Sequence, residues 1–483
     1  MHPGGKFALL HVAGKDCTRD FYELHRDSVI QRYQKLRVGS VRRKGGRKQN
    51  AMFDMLPQIV PYTESPSEFG LPSPYFTESH IQFRKVVRAW LEENVVPTLL
   101  LHEESGKYFP LEMYKKMGEF GLLTCRLGPG KALNIFPNPL PANVSKDAFD
   151  HFHELIVHEE FARIGCPGAN DGLGSGFIIG FPPLLHFASQ ELLHKYAKPI
   201  LLGEKRICLA ISEAYAGSDV SAIRTTARKT DDGRYYIVNG SKKWITNGDF
   251  SDYFTTAVRT SDTGKGYQTI SFLLIERSEG VSTKKIQTSY SSCAGTAHIF
   301  FDNVKVPVEN LLGKENEGFK CIMANFNHER WVICVGIIRT ARAILDDCLR
   351  WAHQRYVFNK RLIDQPVIRL KFADMVAEIE TCYAWLESIT YQMCNLNYKL
   401  QNIVLSGPIA LLKYISTRMA YHVNDHACQI FGGRAITKGG MGANIERFQR
   451  AVKYPAILGG SEEIMADLGI RMASKFMPPT ARL

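Results

Sequence analysis

The chain has 483 residues, more than one ordinary core can hold, so two or three domains are expected. Its 45% hydrophobic and 22% charged residues are ordinary for a globular protein. No apolar run reaches the roughly 18 residues of a membrane span, and the opening MHPGGKFALL lacks the apolar core of a secretory leader. The 11 cysteines are scattered without a Cys-x-x-Cys pair, which points away from zinc and disulfide frameworks and fits a reducing compartment.

Residues 1–30 form a short piece of distinct character, and residues 31–72 read as a basic linker. Between Ser28 and Phe53 stand Arg32, Lys35, Arg37, Arg42, Arg43, Lys44, Arg47 and Lys48 with no acid, most of the net charge of +12. The run lacks the interleaved aromatics of a single-strand binder, so it reads as a solvated linker with no nucleic-acid partner. Residues 73–205 have helical texture: over Glu78 to Val95, Ile81, Val86, Val87, Trp90 and Leu91 recur at helix spacing. Residues 206–315 change to strands. Expected strands are Thr225–Lys229, Arg234–Val238, Tyr253–Val258, Ile270–Ile275 and His298–Phe301, with turns at Asp231-Asp232-Gly233 and Asn239-Gly240. Residues 316–478 are helical again. Ile333, Ile337, Ala341 and Leu345 make an i, i+4 stripe, and long periodic segments run over Phe372–Tyr391 and Ile403–Cys428. Residues 479–483 are a tail. The order predicts an α+β protein: an N-terminal helical domain, a middle antiparallel β domain or small barrel, and a C-terminal helical bundle. It excludes a Rossmann alternation, and no strand is followed by G-x-G-x-x-G.

Several short segments carry chemistry. In Leu209-Ala210-Ile211-Ser212-Glu213-Ala214-Tyr215-Ala216-Gly217-Ser218-Asp219, small residues let the backbone approach a flat ring while Ser212 and Ser218 offer hydroxyls. Taken alone this reads equally as a β-edge loop. Trp244-Ile245-Thr246-Asn247-Gly248 offers a stacking plane and a hydroxyl, although a lone Trp is more often core. Together, and with Val306-Pro307-Val308-Glu309-Asn310-Leu311-Leu312-Gly313, these resemble the acyl-CoA dehydrogenase family over about residues 73–478.

The resemblance implies FAD. It assigns cofactor contacts to Ala210, Ile211, Ser212, Gly217, Ser218, Trp244, Ile245 and Thr246. Further contacts fall to Arg355 and Phe358 of an R-x-x-F motif, Gln365, Gln429, Ile430, Gly432 and Gly433 of a Q-x-x-G-G turn, and Ser461 and Glu463. In the family that Arg reaches the FAD of a neighbouring subunit, so a homodimer or homotetramer is expected. A fork of donors suits the pyrophosphate. Ser218, Asn327, Arg330 and Gly460 are assigned to acyl-CoA. The sequence departs from the pattern at Ala214 (usually Pro), Asn359 (usually Gly) and Ala451 (usually Asp).

The most consequential departure is Gly459. Most members carry the catalytic Glu at the start of this loop, and glycine accepts no proton. The isovaleryl-CoA and long-chain types have glycine there and place Glu on the first long C-terminal helix. Glu329 falls on that alternative position, because Arg330 precedes Arg355 by the family's spacing. A Glu beside an Arg on a helix is normally a solvated pair; the vacancy at Gly459 reverses that reading. Removing a thioester α-proton needs such a base, and an apolar pocket strengthens it. The implied reaction is α,β-dehydrogenation of an acyl-CoA to the 2-enoyl-CoA, passing electrons to a flavoprotein or O2, in peroxisomal β-oxidation or a specialised pathway. An oxidase using O2 and an inactive acyl-CoA- or partner-binding homologue are the competing readings.

At the N-terminus, His2-Pro3-Gly4-Gly5, Ala13–Thr18 and Leu24-His25 resemble the second half of a cytochrome b5 domain, with His2 and His25 in the haem-ligand places. Half a domain buries a haem poorly, so no tightly bound haem and no other metal are expected. Ala481-Arg482-Leu483 resembles the peroxisomal C-terminal address, which an import receptor reads; cytoplasm or mitochondrion are the other placements.

Overall fold

The computed structural model describes residues 5–25, 27–39, 59–264 and 266–481. Helices dominate up to Leu201. The most useful to the site are α1 (Glu78–Asn94), α2 (His151–Arg163) and α3 (Ser175–Phe187). Along α1, Phe83, Val87 and Leu91 are fully buried, the face the i, i+4 spacing predicts. Helix α2 is buried nearly all round, and Arg84 of α1 pairs with its Glu159 and Glu160 at 2.6 and 3.1 Å. Those carboxylates enter the interior because cations meet them there.

The middle region is one seven-stranded sheet: β1 (Ile207–Ala210), β2 (Thr226–Lys229), β3 (Tyr235–Ile245), β4 (Tyr253–Arg259), β5 (Ile270–Glu276), β6 (Val281–Lys285) and β7 (Ala297–Pro307). The order is β1-β4-β2-β3-β7-β6, with β5 also on β4. Pairing is antiparallel except that β1 runs parallel to β4 and β2 meets β4 at one parallel position. Strands β1 and β6 were not anticipated, since β1 is only four residues long and β6 alternates Val, Ser, Thr and Lys at half burial.

The turn expected at Asn239-Gly240 is absent: β3 runs straight through it. The pairing with β7 slips there, and Gly240 sits at φ 140°. Its backbone packs so closely on Thr225 that a Cβ would lie 2.7 Å from the Thr225 Cα. The Asn-Gly pair makes a bulge in a continuous strand rather than a hairpin.

The C-terminal bundle holds α4 (Gly318–Gln354), α5 (Pro366–Asn395), α6 (Ser406–Phe431) and α7 (Glu462–Lys475). In the predicted stripe Ile337, Ala341 and Leu345 are buried, while Ile333 is only half-buried. The segment expected as one helix over Ile403–Cys428 is two, Tyr398–Val404 and α6. Pro408, which lacks an N–H, explains the break: it fits the first turn of a new helix and not the interior of an old one. No helix among the described residues is long and apolar enough to cross a membrane.

Candidate functional site

Helix α4 delivers Glu329 to the interior, where it is 8% exposed. Its Oε2 is buried without a hydrogen-bond partner. Burial pushes its carboxyl up to about 7, against the pull of Arg330, Lys413 and His328. The glycine loop lies directly above it. A Cβ on Gly459 would stand 3.9 Å from Glu329 Oε1 and 2.8 Å from Ile333 Cδ1. The two alternative carboxylate positions inferred from the sequence therefore converge on one point. Gly459 is at φ 64°, a left-handed conformation other residues adopt only with strain.

Two buried cations hold the loop. Arg330 Nε donates to the Gly459 carbonyl at 2.9 Å. Lys413 Nζ of α6 donates to the carbonyls of Pro455 at 2.9 Å and Gly460 at 2.7 Å. Behind the base, His328 pairs with Glu154 of α2, which also pairs with His151. Burial opposes the charge on Glu154, but the His328, His151 and His158 imidazoles outweigh it and hold the carboxyl low. Arg330 and Asn327 are thus engaged inside the fold, Asn327 Nδ2 lying 3.3 Å from both Asn402 oxygens.

The middle domain presents the second part. The Ser212 carbonyl accepts from Lys243 N at 2.8 Å, which ties the 212–219 loop to the strand carrying Trp244. Beneath it Lys242 Nζ bonds the Ile211 carbonyl at 3.0 Å and Glu213 Oε1 at 2.7 Å. Glu213 accepts further bonds from the backbone N–H of Arg224 and Thr225 and from the Thr225 hydroxyl. Trp244 is 55% exposed at φ 68°, an unusual conformation for an indole. A strained, exposed aromatic is the sort of feature that function retains. Ala210 and Ile211 are buried behind the loop, whereas Gly217 and Ser218 are exposed. Tyr454, next to the glycine loop, stacks on Tyr290 of the middle domain with centroids 3.9 Å apart.

A third group of assigned residues lies elsewhere. Trp351 stacks on Phe431 at 5.6 Å and donates to the Ile430 carbonyl at 3.3 Å. This brings Arg355, Phe358 and Gln365 to the same end of α4 as Gln429, Gly432 and Gly433. At about 1.5 Å per residue, the stretch from Glu329 to that end is about 39 Å long. The Arg355 and Gln429–Gly433 group therefore lies at the far end of α4 from Glu329.

The surface of these groups fits a flavin nucleotide. A Cβ on Gly217, Gly432 or Gly433 would meet nothing within 4 Å, so these backbones border open space. Phe358, at the tip of the 356–361 hairpin, is 91% exposed. Ser461 caps α7 by accepting from Ile464 N, with Glu463 exposed in the first turn.

Each departure from the family pattern is accommodated locally. Ala214 sits inside a turn closed by Glu213 N to the Ala216 carbonyl, where proline is favoured but not required. Asn359 has φ 60°, which Asn tolerates better than most residues. Ala451 packs in an apolar cluster with Tyr290 and Ala294, with Tyr454 against it.

Lys413, Lys242 and Tyr454 were missed from sequence. Lys413 gave no local signal: only in the fold are its helical neighbours Ile409, Ala410, Ser416 and Thr417 seen to be buried with it. His80, Asp150 and His153 lie close enough together to suggest a metal site. They are the two N-cap boxes of α1 and α2: Thr77 N donates to His80 Nδ1, leaving Nε2–H for Asp150. His2, Arg482 and Leu483 lie outside the described residues, as does most of the basic run. Within the described N-terminal residues there are three short helices and one candidate imidazole, His25, against Phe21.

Comparison with known proteins follows the same division. The N-terminal, middle and C-terminal domains of acyl-CoA dehydrogenase match residues 77–130, 208–304 and 316–473, and a cytochrome b5-like haem/steroid binding domain matches residues 1–42. Acyl-CoA dehydrogenase apdG of Emericella nidulans is 40% identical over 428 residues, 86% of this chain and 95% of that one. The caffeyl-CoA reductase-Etf complex subunit CarC of Acetobacterium woodii is 30% identical over 81% of this chain and 97% of its own. Among solved structures, an acyl-CoA dehydrogenase from Geobacillus kaustophilus superposes with TM-score 0.73 at 27% identity, covering 83% of this chain and 100% of that one.

Proposed function

The chain belongs to the acyl-CoA dehydrogenase family, a flavin-dependent oxidoreductase, and from that premise we propose that it desaturates an acyl-CoA thioester with Glu329 as base. The unpartnered, buried Oε2 of Glu329 beneath the Gly459 loop carries this reading. A carboxylate left without donors in an apolar site is a stronger base than a solvated one, and a midpoint near 7 suits proton abstraction at neutral pH. The α-proton passes from the thioester to Glu329 Oε2 as the Cα–Cβ double bond forms. Bound FAD would supply the two-electron acceptor for the hydride lost from the β carbon. The 209–219 loop and Trp244–Thr246 would hold the flavin against the substrate, with Ser218, Asn327, Arg330 and Gly460 as the proposed acyl-CoA contacts.

The separation of Glu329 from the Arg355 and Gln429–Gly433 group supports a homodimer or larger assembly in which that group completes the partner's cofactor site. For electron acceptance we favour a flavoprotein, since the CarC relative is named as part of an Etf complex. Transfer to O2 is the second reading, favoured by the Ala481-Arg482-Leu483 tail, which also underlies a proposed peroxisomal location and β-oxidation or specialised role.

The test is an anaerobic screen of acyl-CoAs against the purified yellow protein. Bleaching of the flavin band by an accepted substrate is expected; colourless protein that stays so after incubation with FAD contradicts the reading. Reoxidation by O2 fast enough to sustain turnover, with H2O2 formed at each cycle, would select the oxidase; slow reoxidation in air would select the dehydrogenase. A fluorescent fusion that keeps the C-terminus should enter peroxisomes, and diffuse fluorescence identical with and without the last three residues would refute that address.

A further inference from the structure

Lys413 is fully buried near the start of α6, an environment that normally excludes ammonium groups. It does not pair directly with a carboxylate. Its two hydrogen bonds go to the carbonyls of Pro455 and Gly460, one on each side of Gly459. Its Cε would lie 3.6 Å from a Cβ on Gly459, the same point that stands 3.9 Å from Glu329 Oε1. The loop that lacks its own carboxylate is therefore pinned by a cation facing the replacement carboxylate across the vacated space.

Resting on Glu329 as the proposed base, we infer that Lys413 is its positioning residue: the buried ammonium clamps the 455–460 loop and supplies the positive field that holds the Glu329 carboxylate. Several titratable groups face the pair. Arg330 and His328 lie on α4 with Glu329, and Glu154 of α2 stands behind His328. Cys334 on α4 and Glu462 on α7 face Lys413. Of the cations, Arg330 bonds one loop carbonyl and His328 is paired with Glu154, so Lys413 is the cation that spans the loop. Its field falls on a carboxylate whose medium screens poorly.

A nearby cation favours the ionised base; removing it makes the base hold its proton to higher pH. Burial pushes Lys413 itself down to about 8, so its influence belongs to the range below that. The experiment measures anaerobic flavin reduction against pH for the FAD-loaded parent, Lys413→Met, Lys413→Arg and Glu329→Gln. Infrared difference spectra of each Lys413 form against its own Glu329→Gln counterpart give the carboxyl midpoint without turnover.

For Lys413→Met the rising limb should move up by about one pH unit, with a roughly tenfold loss at pH 6.5 that shrinks toward pH 9. Lys413→Arg should keep the parental midpoint. If Lys413→Met does not fold, Lys413→Gln is read in the same way. A loss equal at every pH, or an unmoved carboxyl midpoint, overturns the inference while leaving the base intact. Parental rate and limb in Glu329→Gln would overturn base and inference together.

Discussion

Glu213 in the middle domain and Glu329 in the C-terminal bundle are both buried carboxylates beside a buried lysine, yet they are opposite in character. Glu213 receives Lys242, a hydroxyl and two backbone N–H groups, and these outweigh burial to keep its carboxyl low. Glu329 has an orphaned oxygen, and its lysine spends its hydrogen bonds on loop carbonyls instead. Burial alone does not make a base; burial with donors withheld does. The first carboxylate builds the wall for a flavin loop, and the second is left to react.

This contrast is broken most strongly at the satisfied site. Lys242→Met strands Glu213 without its cation, and losing one partner of a buried pair typically costs about 3–5 kcal/mol. We expect a large drop in denaturant midpoint and in FAD retention; a midpoint within error of the parent would show that Glu213 is not held by Lys242.

At the unsatisfied site the sign reverses. Because the folded-state Glu329 carboxyl is raised to about 7, its ionisation opposes folding above that pH and has no effect below about 4.5. Glu329→Gln should therefore stabilise the protein by about 3 kcal/mol at pH 8 and by little at pH 5. Thermal melts at both pH values check this, and equal shifts at the two would contradict it.

A smaller effect sharpens the geometry. Gly459→Glu in the Glu329→Gln background places a carboxyl at the converging point. It must nonetheless overcome a positive φ and the Ile333 methyl at 2.8 Å, a strain of about 1–3 kcal/mol. Partial recovery of flavin reduction is expected, rising when Ile333→Ala opens the space. No gain from Ile333→Ala would mean the methyl is not the obstacle. Least of all, Asn359→Gly should change stability by under about 0.5 kcal/mol, since both residues tolerate the left-handed turn. A larger change would show that the Asn side chain has a role of its own.

The sequence carried much of this. Helix-strand-helix order and the strand over Tyr253–Val258 were readable because periodicity is local, whereas Gly459 and Glu329 were linked only through the family resemblance. What escaped depended on tertiary contact. Asn239-Gly240 has hairpin chemistry, but β7 pairs across it and turns it into a bulge. Lys413 looks like a surface lysine until the loop carbonyls that satisfy it are in view. The break before α6 was legible in Pro408 and was overridden by the long apolar pattern around it.

The account's central claim is that Glu329 removes the α-proton, and single-turnover flavin reduction in Glu329→Gln tests it most directly. With an acyl-CoA that the parent accepts, mixed anaerobically by stopped flow, the variant should retain FAD and reduce it about 10²–10⁴-fold more slowly or worse. In the parent the rate should rise through about pH 7, and that limb should vanish in the variant. Reduction at nearly the parent rate, with the limb intact, would contradict the assignment.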